Sequence, residues 1–191
     1  MAETRKTRPV SWIKAALKEF ESFPLEAQST FVTALTIAAE DGEADIAKPM
    51  HGLDSGVFEI ALAFRGDAFR VNEGSFEDTE EGTSMKSEKL ELVRGSGNLF
   101  RDLGRANADV EQLKALLAAE IIKALDRDEL TVRAAHARTG FAAADFSRIR
   151  TADLARFTAD RLVSILNRLG SRVEVRVRVR RIEPVEERAR A

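Results

Sequence analysis

Apolar residues recur at helical spacing at the start of the chain, where Ile13, Ala16, Leu17 and Phe20 fall at i, i+3, i+4 and i+7. This predicts a short amphipathic helix from Trp12 to about Ser22. Pro24 opens a second helix with an apolar face of Phe31, Val32, Leu35, Ala38 and Ala39, and Asp41-Gly42 supplies a stop because glycine tolerates the left-handed conformation that closes helices. After Lys48-Pro49 and a glycine-flanked loop over residues 52–56, the period changes to two, with Phe58, Ile60, Leu62 and Phe64 on one strand face. Arg65-Gly66-Asp67-Ala68 reads as a hairpin turn, and the return arm of Phe69, Arg70 and Val71 stops there. So short a hairpin cannot stand alone, and its exposed edge requires a cover from elsewhere in the chain or from a partner.

Residues 72–88 are acids, glycine and serine with only Phe76 and Met85 as larger apolar groups, a solvated-linker composition. Beyond them Val110, Leu113, Leu116, Leu117, Ile121 and Leu125 line a long helix. Leu130-Thr131 opens another with Thr131 as N-cap, and Gly140 breaks it. A third helix is expected over residues 142–150. A fourth begins at Thr158, carries Leu162, Ile165, Leu166 and Leu169, and ends at Gly170. The tail alternates Val173, Val175, Val177 and Val179 with Glu174, Arg176, Arg178 and Arg180, a strand with one apolar and one basic face.

Composition narrows the chemistry. With 44% hydrophobic and 32% charged residues and a net charge of −2, the 191 residues are those of a globular chain, and the length suits one domain or two small ones. The absence of cysteine excludes disulfides, thiolate zinc sites and cysteine nucleophiles, and His51 and His136 leave little for an imidazole metal site. No apolar run reaches the roughly 18 residues of a membrane span, and residues 1–8 do not lead into a secretory core, so a cytoplasmic protein is expected. Charge is uneven, with acids at Glu73, Glu77, Asp78, Glu80 and Glu81 and bases at Arg172, Arg176, Arg178, Arg180 and Arg181.

Residues 130–150 carry the most specific pattern. Small residues at Ala134 and Ala135 let two helices approach, Gly140 makes the turn, and Phe141 and Phe146 lock the second helix onto the first. That is the mechanics of a helix-turn-helix, whose second helix enters the DNA major groove. The stretch resembles Cro/repressor-type (XRE) domains of the HigA-type antitoxin branch, as do Val93-Arg94-Gly95-Ser96-Gly97-Asn98-Leu99-Phe100 upstream and Leu166-Asn167-Arg168-Leu169-Gly170 downstream, so that the resemblance covers residues 89–179.

Three positions depart from that family. Alanines stand at Ala142 and Ala143, where the family commonly carries a capping serine and a base-reading glutamine, and the glycine usual near Ala152 is missing. Direct base reading is weakened accordingly. Ser147, Arg148 and Arg150 remain for the groove, with methyl contacts from Ala143 or Ala144, while Arg133, Arg138 and the helix N-termini are candidates for phosphate. Asp145 is expected to repel phosphate.

The first half resembles the opening of a phage-derived RelE/HigB-type toxin, through residues 12–20 and 24–40, Lys48-Pro49-Met50-His51-Gly52-Leu53, Gly56-Val57-Phe58-Glu59-Ile60 and Phe64-Arg65-Gly66-Asp67-Ala68-Phe69-Arg70. Such toxins cleave messenger RNA on the ribosome with basic side chains on a small sheet, and the resemblance stops after Val71, before the later strands. The resemblances together imply an α+β chain. An incomplete RelE-like unit of two helices plus a β-hairpin (1–71) and an acidic linker (72–88) precede an all-α helix-turn-helix bundle with a terminal β-strand (89–181) and a charged tail (182–191). Met85-Lys86-Ser87-Glu88-Lys89 resembles the start of an antitoxin and makes Met85 a former or active start.

The expected function is a DNA-binding autorepressor of toxin–antitoxin type carrying an inactive toxin remnant. The alternatives are a restrained mRNA-cleaving fusion and a module that binds a cognate toxin through its sheet edge. Arg65, Arg70, Lys48 and His51 read as solvated rather than catalytic, and His136 as partly buried or phosphate-facing. Gly95-Ser96-Gly97 lacks the strand and lysine of a phosphate loop and reads as a flexible leader. No catalytic, metal or cofactor site is expected. The expected partners are operator DNA, a toxin as a further candidate, and a second copy paired through the valine–arginine strand.

Overall fold

A computed structural model describes residues 7–49, 58–73 and 91–175. The linker beyond Glu73, the Met85 start, the loop with Met50 and His51, and the charged tail lie outside the described residues, as does residue 176 onward of the expected terminal strand. Residues 171–175 form no strand.

The opening helix is shorter than its spacing predicts. Ser11–Ile13 is a strand, β1, and the helix α1 is Lys14–Phe20. Strand β1 pairs antiparallel with β5, Leu92–Arg94, placing Trp12 opposite Val93. Aromatic and β-branched residues suit this pairing, and it buries Trp12 against Phe20 with ring centroids 4.9 Å apart. Gly95 belongs to this close approach, since a Cβ there would lie 2.3 Å from the Val10 carbonyl oxygen. The expected flexible leader is therefore held in place, with the Ser96 amide donating to Asp102 Oδ2 at 2.8 Å.

Helix α2 is Leu25–Ala39, beginning after Pro24, whose missing N–H costs nothing at a helix start. It is buried on more than the expected stripe, because Thr33 and Thr36 are also enclosed and return their hydroxyls to Ser29 O and Val32 O. The stop works differently from the expectation. Asp41 takes the left-handed conformation (φ 61°), and Gly42 is required by proximity, since a Cβ there would come 2.9 Å from Ile37 Cγ2 and 3.5 Å from Ala119 Cα.

A three-stranded antiparallel sheet follows in the order β2-β3-β4, formed by Ala47–Pro49, Phe58–Phe64 and Asp67–Glu73. Strand β2, where no element was expected, sits at an edge, where proline is tolerated, and the loop expected over residues 52–56 lies outside the described residues. Phe64 pairs with Asp67, leaving Arg65-Gly66 as a two-residue turn with φ of 53° and 96°, the geometry of a type I′ hairpin. The return arm continues to Glu73 opposite Phe58, two residues beyond the expected stop. Phe23, just before α2, packs on Phe69 of β4 with centroids 4.7 Å apart and ties the sheet to the helices.

The remaining helices are α3 (Leu99–Asp102), α4 (Ala108–Arg127), α5 (Val132–Thr139), α6 (Ala143–Arg150) and α7 (Ala159–Arg168). Val110 is exposed, so the apolar face of α4 begins only at Leu113. Helix α2 packs along α4, and one buried core runs from Phe20, Phe31 and Leu35 to Ile121, Phe146 and Leu162. Polar links cross the same boundary: Lys123 Nζ donates to Glu40 O at 3.1 Å, the Asp45 amide to Arg150 O at 2.7 Å, and Arg105 bonds Gln28.

Candidate nucleic-acid interface

Helices α5 and α6 and the turn between them are built from local signals. Thr131 caps α5 by accepting from the Ala134 amide at 3.2 Å. Gly140 ends it at φ 79°, with nothing within 4 Å of an added Cβ. Gly140→Ala should therefore cost only the left-handed strain, about 1–2 kcal/mol, read as a lower thermal midpoint with unchanged helical content. The turn is braced by Thr139 Oγ1, which donates to Ala135 O at 2.7 Å and accepts from the Phe141 amide at 3.3 Å. His136 is exposed rather than buried, and its Nδ1 lies 2.7 Å from Phe141 O, so this histidine braces the turn.

Of the two small residues expected to let the helices approach, Ala135 is buried and Ala134 is exposed. Phe146 and Ile149 of α6 are fully enclosed, while Ala144 and Ser147 are exposed and Arg148 and Thr151 are partly so. Positions 144, 147, 148 and 151 follow the i, i+3, i+4, i+7 rule and form one outward stripe, flanked by the half-exposed Ala143. Ala142 offers no side-chain cap, in keeping with the departure at that position.

The charged residues divide into free and engaged groups. Arg133 is exposed and has no ion pair among the described residues, and Arg148 is 38% exposed with Asp153 Oδ2 3.9 Å from its Nε. Arg138 Nη1 binds Asp128 Oδ2 at 2.6 Å and its Nη2 donates to Leu169 O at 3.2 Å, joining α5 to the end of α7. Hydrogen bonds from Arg127 and then Arg138 hold the Asp128 carboxyl below its usual range. Its stabilising contribution is complete above the ordinary carboxylate pKa and is lost as pH falls through the lowered one. Arg150 is 18% exposed, with Nη2 2.6 Å from Asp126 and Nη1 3.5 Å from Asp45. Arg133, Arg138, Ala144 and Ser147 are exposed and Ala143, Arg148 and Arg150 partly so, while Arg138, Arg148 and Arg150 each have an acidic partner.

Asp145 corrects another expectation. It is 9% exposed, Arg161 Nη2 lies 2.6 Å from its carboxylate, and Arg161 also covers the Phe141 ring at 5.4 Å. The acid is neutralised inside the fold and does not face a phosphate. Sequence reasoning missed Arg161, whose partner stands 16 residues away, although its place in the first turn of α7 was legible.

At the end of α6, where the resemblance implied a glycine, the chain takes a conformation that suits one. The Ala152 amide donates to Ile149 O and the Asp153 amide to Arg148 O, a Schellman closure with Ala152 left-handed at φ 59°. A glycine would take that conformation without strain.

On the sheet, Arg65 pairs with Glu26 at 3.2 Å and Arg70 with Glu59 at 3.4 Å. No group of residues suited to holding a metal occurs among the described residues, and no helix among them is long and apolar enough to cross a membrane.

Among curated proteins and solved structures, no match to the chain is found. A family model described as a helix-turn-helix domain matches residues 99–178, from α3 to beyond α7, and this part of the chain is a helix-turn-helix region.

Proposed function

We propose that this chain is a sequence-specific DNA-binding transcriptional regulator of toxin–antitoxin type, in which α6 reads an operator and the first half is an inactive toxin-like remnant. The outward stripe of Ala144, Ser147, Arg148 and Thr151 on a helix-turn-helix scaffold carries the reading. Arg148 and Ser147 are the base-edge donors, Ala143 and Ala144 offer methyl contacts to thymine, and Arg133 holds phosphate. Arg138, still exposed beside its bonds to Asp128 and Leu169, holds phosphate with Arg133, and Arg150 at the end of α6 also ties it to Asp126 and Asp45.

The remnant reading rests on the toxin-like residues of the first half and on Arg65 and Arg70, each matched by a glutamate rather than gathered into a basic site. The division into units 1–71 and 89–181 joined by residues 72–88, and a homodimer through residues 172–181 reading a two-fold operator, belong to the same proposal.

The test is a gel-shift of the full chain on DNA upstream of its own gene, with random DNA as competitor across a salt series. Phosphate-only binding is salt-sensitive and sequence-blind. Preference for the upstream fragment is the expected result, and Arg148→Ala should weaken it by about tenfold, the scale of one good base contact. Equal competition by random DNA would overturn the reading.

A further inference from the structure

The last four carbonyls of an α-helix have no partner within the helix, and those of α6 are satisfied from two sources. The amides of Thr151, Ala152 and Asp153 bond Ser147 O, Ile149 O and Arg148 O at 3.1, 3.1 and 2.9 Å, all from the segment that follows the helix. The remaining carbonyl, Arg150 O, accepts from the Asp45 amide at 2.7 Å, a donor from the first half of the chain. Asp45 reaches the same residue with its side chain. Its Oδ1 lies 3.5 Å from Arg150 Nη1, while Asp126 of α4 holds Nη2 at 2.6 Å.

The segment that carries Asp45, residues 40–46 between α2 and β2, is itself anchored at almost every step. Lys123 of α4 donates to Glu40 O, and Gly42 lies so near α4 that an added Cβ would come 3.5 Å from Ala119 Cα. Ala44 is buried in the shared core, and Ile46 O accepts from the Ala61 amide of β3. Bonds from so fixed a segment hold the last turn of α6 relative to α4, and that turn and its cap carry Arg148 and Thr151 of the outward stripe.

We infer that Asp45 is a positioning residue for DNA recognition: its amide fixes the end of α6 and its carboxylate fixes Arg150, so that the first half of the chain is a working part of the DNA reader. The effect on recognition rests on the reading of α6 as the DNA-contacting helix, whereas the tie between Asp45 and Arg150 does not. Position and charge predict different outcomes for Asp45→Ala. Losing an acid near a polyanion leaves random DNA bound equally or more tightly and, by itself, leaves the preference between DNAs unchanged. Losing position weakens the upstream fragment selectively, because base contacts carry the sequence and demand geometry.

The experiment measures binding of the full chain to the upstream fragment and to random DNA for the wild type, Asp45→Ala, Asp45→Glu, Arg150→Gln and the double variant Asp45→Ala/Arg150→Gln. Asp45→Ala should lower the preference for the upstream fragment by about threefold, the scale of one exposed ion pair, and Asp45→Glu should restore it. In the Arg150→Gln background Asp45→Ala should lower the preference no further. An unchanged preference in Asp45→Ala, or a loss that persists in full in the Arg150→Gln background, would overturn the assignment. Amide hydrogen exchange tests the tie without DNA. The Asp45 amide should be protected like those of Ala152 and Asp153, and exchange at the rate of an open loop would overturn the tie. If the wild type shows no DNA preference while the Asp45 amide is protected, it is the DNA reading that fails and the tie stands.

Discussion

Replacing Phe31 by alanine should lower the unfolding free energy of the whole chain by about 3–5 kcal/mol, the usual cost of emptying a fully enclosed phenylalanine site. Phe31 is fully buried in α2, with Phe20 and Phe23 at centroid distances of 6.2 and 5.8 Å. Because α2 packs along α4, the loss should be felt in the helix-turn-helix region as well. Urea unfolding can be followed by the fluorescence of Trp12, the sole tryptophan, and by far-ultraviolet circular dichroism, to which α4 to α7 contribute heavily. The two curves should coincide and move together in the variant, as one cooperative transition requires. A dichroism curve that kept its wild-type midpoint while the fluorescence curve moved would show that the two halves fold independently.

Ala144→Glu should reduce affinity for the upstream DNA by on the order of 100-fold, because it places a carboxylate on the stripe proposed to face the phosphate-lined groove. Stability should stay within about 0.5 kcal/mol, since Ala144 is exposed and glutamate is a good helix former. Fluorescence anisotropy with labelled DNA and a thermal melt give the two readings. Unchanged DNA binding in a folded variant would remove α6 from the interface, and lost binding with a lowered melt would trace the effect to misfolding.

Local signals in the chain agree with the structure where each element carries its own punctuation. Thr131 and Thr158 cap α5 and α7, Gly140 and Gly170 close them in the left-handed conformation, and the Arg65-Gly66 turn fixes the register of the hairpin. The period-3.6 stripe of α7 buries Leu162, Ile165 and Leu166. Strands β1 and β2 escaped notice because three residues are too few to display a period, and β1 finds its partner β5 about 80 positions along the chain. Within the candidate interface, Arg133, Ser147 and Arg148 were legible as outward groups. The bonds that Arg138, Arg150 and Asp145 make within the fold were not, because their partners Leu169, Asp45 and Arg161 come from other elements.

By itself the sequence determined that α5, α6 and α7 are helical, where α5 and α7 start and stop, and that α5 and α6 form a helix-turn-helix, because caps, glycines and hydrophobic periods act over a few residues and need no distant partner. Tertiary structure decided that α2 lies against α4 around one shared core, that Gly42 serves a close approach, and which arginines remain free for a ligand. Those outcomes depend on side chains that meet only after the chain has folded, and burial and charge pairing between distant positions leave no trace in local spacing.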